Sequence, residues 1–435
     1  MIRRFLLLLT LLWSTSVLAA ENSAHPDPSK LHVYLVTVDV GNSVWDNFGH
    51  SALRIVDEVG NTDTIYNWGV FEVSGGPLSF AYDFFINEVR YRLATQSPDR
   101  EIANYRAQAR SVWQDEIFLT SAQKQRLLAR LQWNRAPENI YYDYHYFFDN
   151  CTTRIRDYLN EALGGKLSRE IIGGSGRSFR EEVRSHYASL QPISFSLDVL
   201  MNSNIDSEMS EWETLFLPLE LRSHLASIDS DVRVGQQVMP LLGNSETLLS
   251  FDAPEQQGDF YRAATLVLWG CIIYFALMLK RVRPSFSVSH AKLGFRMSDM
   301  NLRLFGFLSV VLLGASGIFG GIMLISWFVS GHADLYHNLN LLLFWPTDIL
   351  GVLVAVYWII SAKPFLLDHN SKPFFVYYLL FKLLAALAYC VIMWFGLSAQ
   401  NGFLIATYLV PSMFVLILIG WIVGFDSRRR FDAIW

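Results

Sequence analysis

The pattern of apolar and polar positions divides the chain in two. From Glu21 to about Asp259 the two kinds mix at the short periods of a globular domain. LHVYLVTVDV (31–40) is dense in Val and Leu and predicts a buried strand. HSALRIVDEVGNTDTIYNWGVFEV (50–73) predicts two strands folded into a hairpin about Val59-Gly60-Asn61. EVRYRLAT (88–95) alternates Val89, Tyr91 and Leu93 with Arg90, Arg92 and Ala94, the period of another strand. TSAQKQRLLARLQWN (120–134) opens on a Thr cap and carries Leu127, Leu128 and Leu131 in helical register. From Cys151 on, Ile155, Tyr158, Leu159 and Ala162 share one helical face until Gly164-Gly165 stops it. SFREEVRSHYASL (178–190) predicts a further helix, and WETLFLPLELRSHLAS (212–227) a helix or a pair of turns around Pro218. This half therefore reads as α+β.

After residue 260 the pattern changes to five apolar segments, about 262–279, 302–328, 340–361, 374–397 and 402–424. Each reaches the ~20 residues needed to cross ~30 Å of hydrocarbon, so this half reads as an all-α transmembrane bundle of five helices. The composition is 52% hydrophobic and 17% charged, and the apolar excess lies here. Basic residues follow the first, third and fifth segments: Lys280, Arg281, Arg283, Lys292 and Arg296; Lys363 and Lys372; Arg428, Arg429 and Arg430. The loops 331–339 and 398–401 carry no Lys or Arg. Positive residues stay in the cytoplasm, which places residues 21–260 and those two loops outside.

MIRRFLLLLTLLWSTSVLAA agrees independently. Arg3 and Arg4, a short apolar run and a small-residue cleavage site read as a secretory signal rather than an uncleaved anchor. The expected organisation is a signal peptide 1–20, an exported domain 21–260, a five-span domain 261–425 and a cytoplasmic tail 426–435. The net charge of −5 gives no sign of a nucleic-acid partner.

Topology makes the cysteines informative. Cys271 and Cys390 fall inside predicted spans, where cysteine is ordinarily a small hydrophobe. Cys151, in DNCTTRIRD, is alone in the exported domain and has no disulfide partner there. Three readings stand: an intermolecular partner, an inert cysteine under its helix, or a reactive thiol. Asp149 or Asn150 supplies an N-cap, which places the sulfur at the positive end of the helix with Arg154 one turn on. A thiolate is favoured in such a setting. Asn150 and Arg154 are also candidates for holding substrate, as are Arg90 and Arg92.

A nucleophile needs a base. Of His25, His32, His50, His145, His186 and His224, we single out His50, which starts the strand HSALRIV. His145, in the aromatic run YYDYHYFFDNC, is the competitor or one member of an aromatic wall. In the hairpin, Asn67 comes near His50 or Leu53 and can orient an imidazole. No cluster has metal-ligand spacing, no cofactor is implied, and Gly173-Gly174-Ser175-Gly176 reads as a flexible connector. Of the outer loop residues His332, Asp334, His337, Asn338 and Asn340, we take His337 and Asn340 as candidate contacts for a lipid headgroup. The other reading of the loop is helix caps and interfacial anchors.

FGHSALRI (48–55), YNWGVFEV (66–73), YYDYHYFFDNCTTRIRD (141–157), SFREEVR (178–184) and FLPLELRSHL (216–225) together resemble the Lnb family. LYHNLNLLLFWP (335–346), among the apolar segments, resembles that family's five-helix membrane domain. The resemblance implies a bacterial inner-membrane protein with its catalytic domain in the periplasm and lipoprotein N-acyltransferase-like chemistry. The order of His first and Cys later, at a helix start, also resembles circularly permuted papain-like enzymes of the NlpC and lecithin:retinol acyltransferase type. That implies Cys151 as nucleophile and His50 as base, with Asn67 roughly where an orienting residue is expected. The implied partners are a phospholipid acyl donor, a lipoprotein or other envelope acceptor, and the membrane. A periplasmic Cys/His hydrolase and a non-catalytic envelope-binding protein are the alternatives.

Overall fold

The computed structural model describes residues 27–71, 77–254, 260–280, 298–362 and 374–432. The signal segment, His25 and the basic residues Arg281, Arg283, Lys292, Arg296, Lys363 and Lys372 lie outside the described residues.

Seven strands build one antiparallel sheet: β1 (Leu31–Val38), β2 (His50–Asp57), β3 (Thr62–Val70), β4 (Tyr91–Gln96), β5 (Val112–Ile117), β6 (Tyr141–Tyr142) and β7 (Leu242–Leu249). Their order is β7-β5-β1-β2-β3-β4-β6. The hairpin of β2 and β3 closes on Asp57 opposite Thr62, and Ala52 stands opposite Asn67. The strand expected over 88–95 begins three residues later. The missed strands of this sheet are β5, whose core positions are interleaved with Gln114, Asp115 and Glu116, the two-residue β6, and β7, which is half exposed.

Because a strand alternates its side chains, β2 serves two layers. Leu53 and Ile55 face a core shared with two helices, α3 (Ser121–Arg135) and α4 (Cys151–Ala162), through Leu127, Leu131, Ile155 and Leu159. Ala52 faces the opposite layer, with Tyr105 and Ile102 of α2 (Pro98–Ala107). Two more helices, α5 (Phe179–His186) and α6 (Gln191–Leu200), carry the chain away from the sheet. Arg180 of α5 is 1% exposed and ion-paired to Asp198 and Asp206. Removing one partner from a buried cluster leaves charge uncompensated. Arg180→Ala is therefore expected to destabilise the N-terminal half by about 3–5 kcal/mol, read as a lowered Tm. The glycine stretch at 173–176 is not a loose connector. Residues Gly174–Ser178 pair with Glu208–Ser210, and Ser175 donates to the Met209 carbonyl (2.8 Å).

The helical part comprises α7 (Phe260–Lys280), α8 (Asp299–Val329), α9 (Asp348–Ser361), α10 (Phe374–Trp394) and α11 (Phe403–Asp432). Two stretches, Asp299–Val329 and Tyr377–Trp394, are long and apolar enough to cross a membrane. Among the described residues, Arg262–Phe275, Asp348–Ser361 and Phe403–Ile419 are apolar but shorter. The third segment departs from the expected span over 340–361. Leu339–Leu342 is a single 3-10 turn capped by Asn338, and the helix starts only at Asp348. Pro346 explains the break, since it excludes helical geometry at Trp345. The remaining 14 residues rise about 21 Å, short of the ~30 Å of a bilayer core. α8 and α9 approach closely because Gly317 lacks a side chain; a Cβ there would sit 2.6 Å from the Ile349 nitrogen.

Candidate active site

Cys151 is the first residue of α4, and its environment begins with the cap. Asn150 Oδ1 accepts from the Thr152 and Thr153 amides, both at 2.9 Å, and Thr153 Oγ1 accepts from the Asn150 amide at 2.8 Å. Asn150 Nδ2 donates to the Tyr146 and Phe216 carbonyls at 2.9 and 3.0 Å. Every polar group of Asn150 is thus used in holding the helix start, and none is left for a substrate. Three donors of the first turn are satisfied. Among the described residues the Cys151 amide is the one helix-start donor without a partner.

His50 reaches this thiol from the sheet. Gly49 turns the chain into β2 at φ +78°, and a Cβ there would lie 2.7 Å from the Val38 carbonyl. The turn leaves His50 at the end of its strand, where the ring can bond across both layers. Nε2 donates to Asn67 Oδ1 at 2.5 Å. Asn67 lies diagonally across the hairpin, the cross-strand distance a ring can span. The other ring nitrogen is left for Cys151, which lies close enough for the two groups to bias each other's ionisation. Asn67 is itself fixed, since its Nδ2 donates to the buried Glu101 Oε1 at 2.7 Å. Gln96 also donates to Glu101. A chain of contacts thus runs from thiol to imidazole, amide and carboxylate, ending on α2.

The electrostatics follow from this chain. Burial opposes ionisation of Cys151, but the charge and hydrogen bond of His50, the Ser51 amide and the Thr152 hydroxyl outweigh it. The thiol is pulled down to about 7 from an ordinary 9.0. For His50, burial disfavours the cation, yet the facing sulfur and the bonds to Cys151 and Asn67 hold its pKa above the ordinary value. Both directions favour a thiolate facing an imidazolium. Tyr142 and Tyr144 stand within electrostatic reach of the sulfur, and burial keeps both phenols protonated. The Tyr142 hydroxyl is enclosed and approaches Gly69 without reaching hydrogen-bond geometry with any group.

Other expected site residues lie elsewhere. Arg154 is turned to Asp149, with which it forms a two-pronged pair, and lies 4.0 Å above the Tyr142 ring. Arg90 is exposed and stacks on Tyr141 at 4.4 Å. Arg92 is half-buried on β4, its backbone level with Tyr141. His145 belongs to the aromatic cluster, its Nδ1 accepting from the Phe147 amide at 3.2 Å. Asn340 is fully buried, its amide donating to the Val199 carbonyl (2.8 Å) and its oxygen accepting from Tyr389 (2.8 Å). That saturation removes it as a headgroup contact. His337 is exposed beside Trp327 at 4.9 Å. Glu101, Ser51 and Tyr142 are the contributors that sequence reasoning missed. A glutamate on a helix of low hydrophobicity carries no sign that it will be buried. Among the described residues no three of His, Cys, Asp and Glu gather closely enough to hold a metal ion.

The loop after α8 fastens the two halves together. Tyr146 donates to Asp334 (2.6 Å), and His332 donates to the Phe84 carbonyl (2.7 Å). Asn202 donates to the carbonyls of Ala333 (2.9 Å) and Tyr336 (2.6 Å). Because Asn150 bonds the Tyr146 carbonyl, this loop braces the turn that precedes the thiol.

Asn67 is the group that bonds the His50 ring. Asn67→Ala is expected to lower turnover about 10²-fold through a misplaced imidazole. KM should change little, and the thiol titration should move upward as His50 loses a partner. Glutamine at 67 would restore neither if length matters more than the amide.

A sheet domain that sets a thiol near an imidazole, joined to apolar helices, is consistent with an enzyme. Residues 20–172, which hold Cys151, His50 and Asn67, match the Lnb N-terminal periplasmic domain. That match supports membership of the Lnb family, and the apolar helices with this domain point to a membrane protein whose N-terminal domain is periplasmic. No curated protein and no solved structure matches the chain.

Proposed function

We propose that the protein is a membrane-bound thiol acyltransferase. It moves an acyl chain from a phospholipid, through a thioester on Cys151, to the N-terminal amine of a lipoprotein. The observation that carries this reading is the ionisable pair itself. The lone cysteine of the periplasmic half stands at a helix start, facing an imidazole that a buried amide holds.

In the first half-reaction the thiolate attacks an ester carbonyl of the donor. The oxyanion accepts from the Cys151 amide, with the Tyr142 hydroxyl as second donor. His50 gives its proton to the departing glycerol oxygen, leaving a thioester and a lysophospholipid. In the second, the α-amine of the acceptor attacks the thioester and His50 takes its proton. The thiolate departs and the amide is complete. An α-amine pKa of about 8 makes that base step feasible near neutrality. Splitting an ester-to-amide exchange in two lowers each barrier.

The order of His50 on β2 before Cys151 on α4 supports a permuted papain-like fold for a domain covering residues 21–260. The five apolar helices support a membrane domain of five spans over 261–425, with the C-terminal tail cytoplasmic. Such a bundle would hold the site against the leaflet that carries both substrates.

Intact-mass analysis of the full-length protein tests the reading. A hydroxylamine-labile acyl adduct on Cys151 is expected after incubation with phospholipid vesicles, cleared on adding a diacylated lipopeptide with a free N-terminus. An adduct cleared equally fast without the lipopeptide would mean water is the acceptor. Absence of any adduct, with lipoprotein N-termini unchanged when the protein is removed, would overturn the proposal.

A further inference from the structure

Away from Cys151, the helical half forms a half-open cavity of about 640 Å³ lined by α7, α8, α9, α10 and α11. Its wall is almost wholly apolar. Lysine interrupts it: Lys382 lines the cavity although it is only 4% exposed. A membrane-buried cation ordinarily marks a function. Lys382 has three donors. It is paired to Asp348, which is fully buried, and donates to the Leu343 carbonyl at 3.0 Å. The ammonium also lies 5.5 Å from the Trp345 ring centroid, and among the described residues no third oxygen accepts from it. Asp348 is also bonded by Ser316 (2.5 Å) and Tyr378 (2.7 Å), both at the cavity wall.

The cavity has a direction. On α8 its lining runs from Phe305 to Phe319, a rise of about 21 Å. One leaflet's hydrocarbon is about 15 Å deep, half of a ~30 Å core. At one end Phe305 stacks on Trp358 with centroids 5.6 Å apart. At the other, Phe319 meets Phe195 of the periplasmic domain at 6.0 Å. Ser316, and with it the Asp348–Lys382 pair, lies near this second end. The polar group is therefore placed where a chain's ester or phosphate would stop, and the dry length runs away from it.

We propose that this cavity is a binding site for one acyl chain of a membrane phospholipid. The tail points toward Phe305 and Trp358, and Lys382 donates to an ester or phosphate oxygen. The site stands on the cavity alone and does not depend on the chemistry proposed for Cys151.

Photocrosslinking tests it. Full-length protein in phosphatidylethanolamine and phosphatidylglycerol vesicles is labelled with phosphatidylglycerol bearing a mid-chain diazirine, and the labelled peptides are mapped. Labelling is expected at the cavity wall around Leu312, competed by unlabelled phospholipid. Leu312→Trp should abolish it while labelling at the outward-facing Phe307 and Phe328 persists. Ser309→Leu fills the same wall with less volume, should the larger change prevent accumulation. Lys382→Met should weaken competition about tenfold, the worth of a charged hydrogen bond. Cys151→Ala should leave all labelling intact, so failure here and failure of acyl transfer are separable. Labelling confined to outward-facing positions would overturn the proposal. So would cavity labelling that phospholipid does not compete but a diacylated lipopeptide does.

Discussion

Replacing Cys151 by alanine is expected to remove the hydroxylamine-labile adduct and lower acyl transfer by about 10⁴-fold or more. The size follows from what is lost. The amide of residue 151, the Asn150 cap and the His50–Asn67–Glu101 chain all remain, so substrate can still bind and the oxyanion donors still point at it. No other described group faces His50 as a nucleophile, and the residual rate is that of water in the same site. The fold should tolerate the change. Only a sulfur is removed from a residue 8% exposed, a deletion that costs about 1 kcal/mol. Abundance and Tm near those of the parent protein, with transfer abolished, are therefore the expected pair of results. Transfer that persists in Cys151→Ala would remove the thioester from the mechanism, and a lost protein would say only that Cys151 is structural. Cys151→Ser separates those two, because it restores the shape without a group that ionises near neutrality.

The parts of this site that could be read from the chain were those carried by local chemistry. An unpaired thiol after Asp-Asn, at the head of an amphipathic run, encodes a capped helix whatever lies around it, and α4 begins at Cys151. The hairpin was legible for the same reason: a Gly-Asn turn between two runs of β-forming residues fixes its own register to within a residue or two. That was enough to bring Asn67 near His50, though not to choose between His50 and Leu53. The rest depended on where elements pack. Glu101 is buried only because α2 closes the sheet face opposite α4. Arg154 looked like a charge for the thiol because it is one turn along; Asp149, on the near side of the cap, claims it instead. Asn340 looked free because the loop was expected at a membrane surface, but that loop is pressed against α6. Periodicity could not separate a 22-residue span from a turn followed by a short helix, since both are equally apolar. Only the backbone restriction at Trp345 before Pro346 carried that information.

His50→Gln is expected to move the thiol rather than unfold the protein, and the titration is the sharper readout. In the parent, Cys151 ionises at about 7 because the imidazolium and its hydrogen bond overcome burial. Glutamine keeps a polar contact to Asn67 but carries no charge. Burial is then opposed only by the Ser51 amide and the Thr152 hydroxyl, so the thiol should ionise near the ordinary 9.0. The sign fixes the profile. Lowering the pKa makes the thiolate abundant on the alkaline side of about 7 and scarce below it. In His50→Gln the same rise should begin only about two units higher. At pH 7 the thiolate fraction would fall from about one half to about one in a hundred. The alkylation rate should fall less, because a more basic thiolate is the better nucleophile: with a Brønsted slope of about 0.45, the net slowing is about sixfold. Acyl transfer should suffer far more than alkylation, since it also loses the proton for the departing alcohol, a contribution of about 10²–10⁴-fold. Iodoacetamide rates measured from pH 5 to 10 on both proteins, set beside transfer rates, distinguish the roles. A midpoint unchanged in His50→Gln would show that the imidazole does not set the ionisation of Cys151. A shifted midpoint with transfer unchanged would show that His50 tunes the thiol without moving a proton in the reaction.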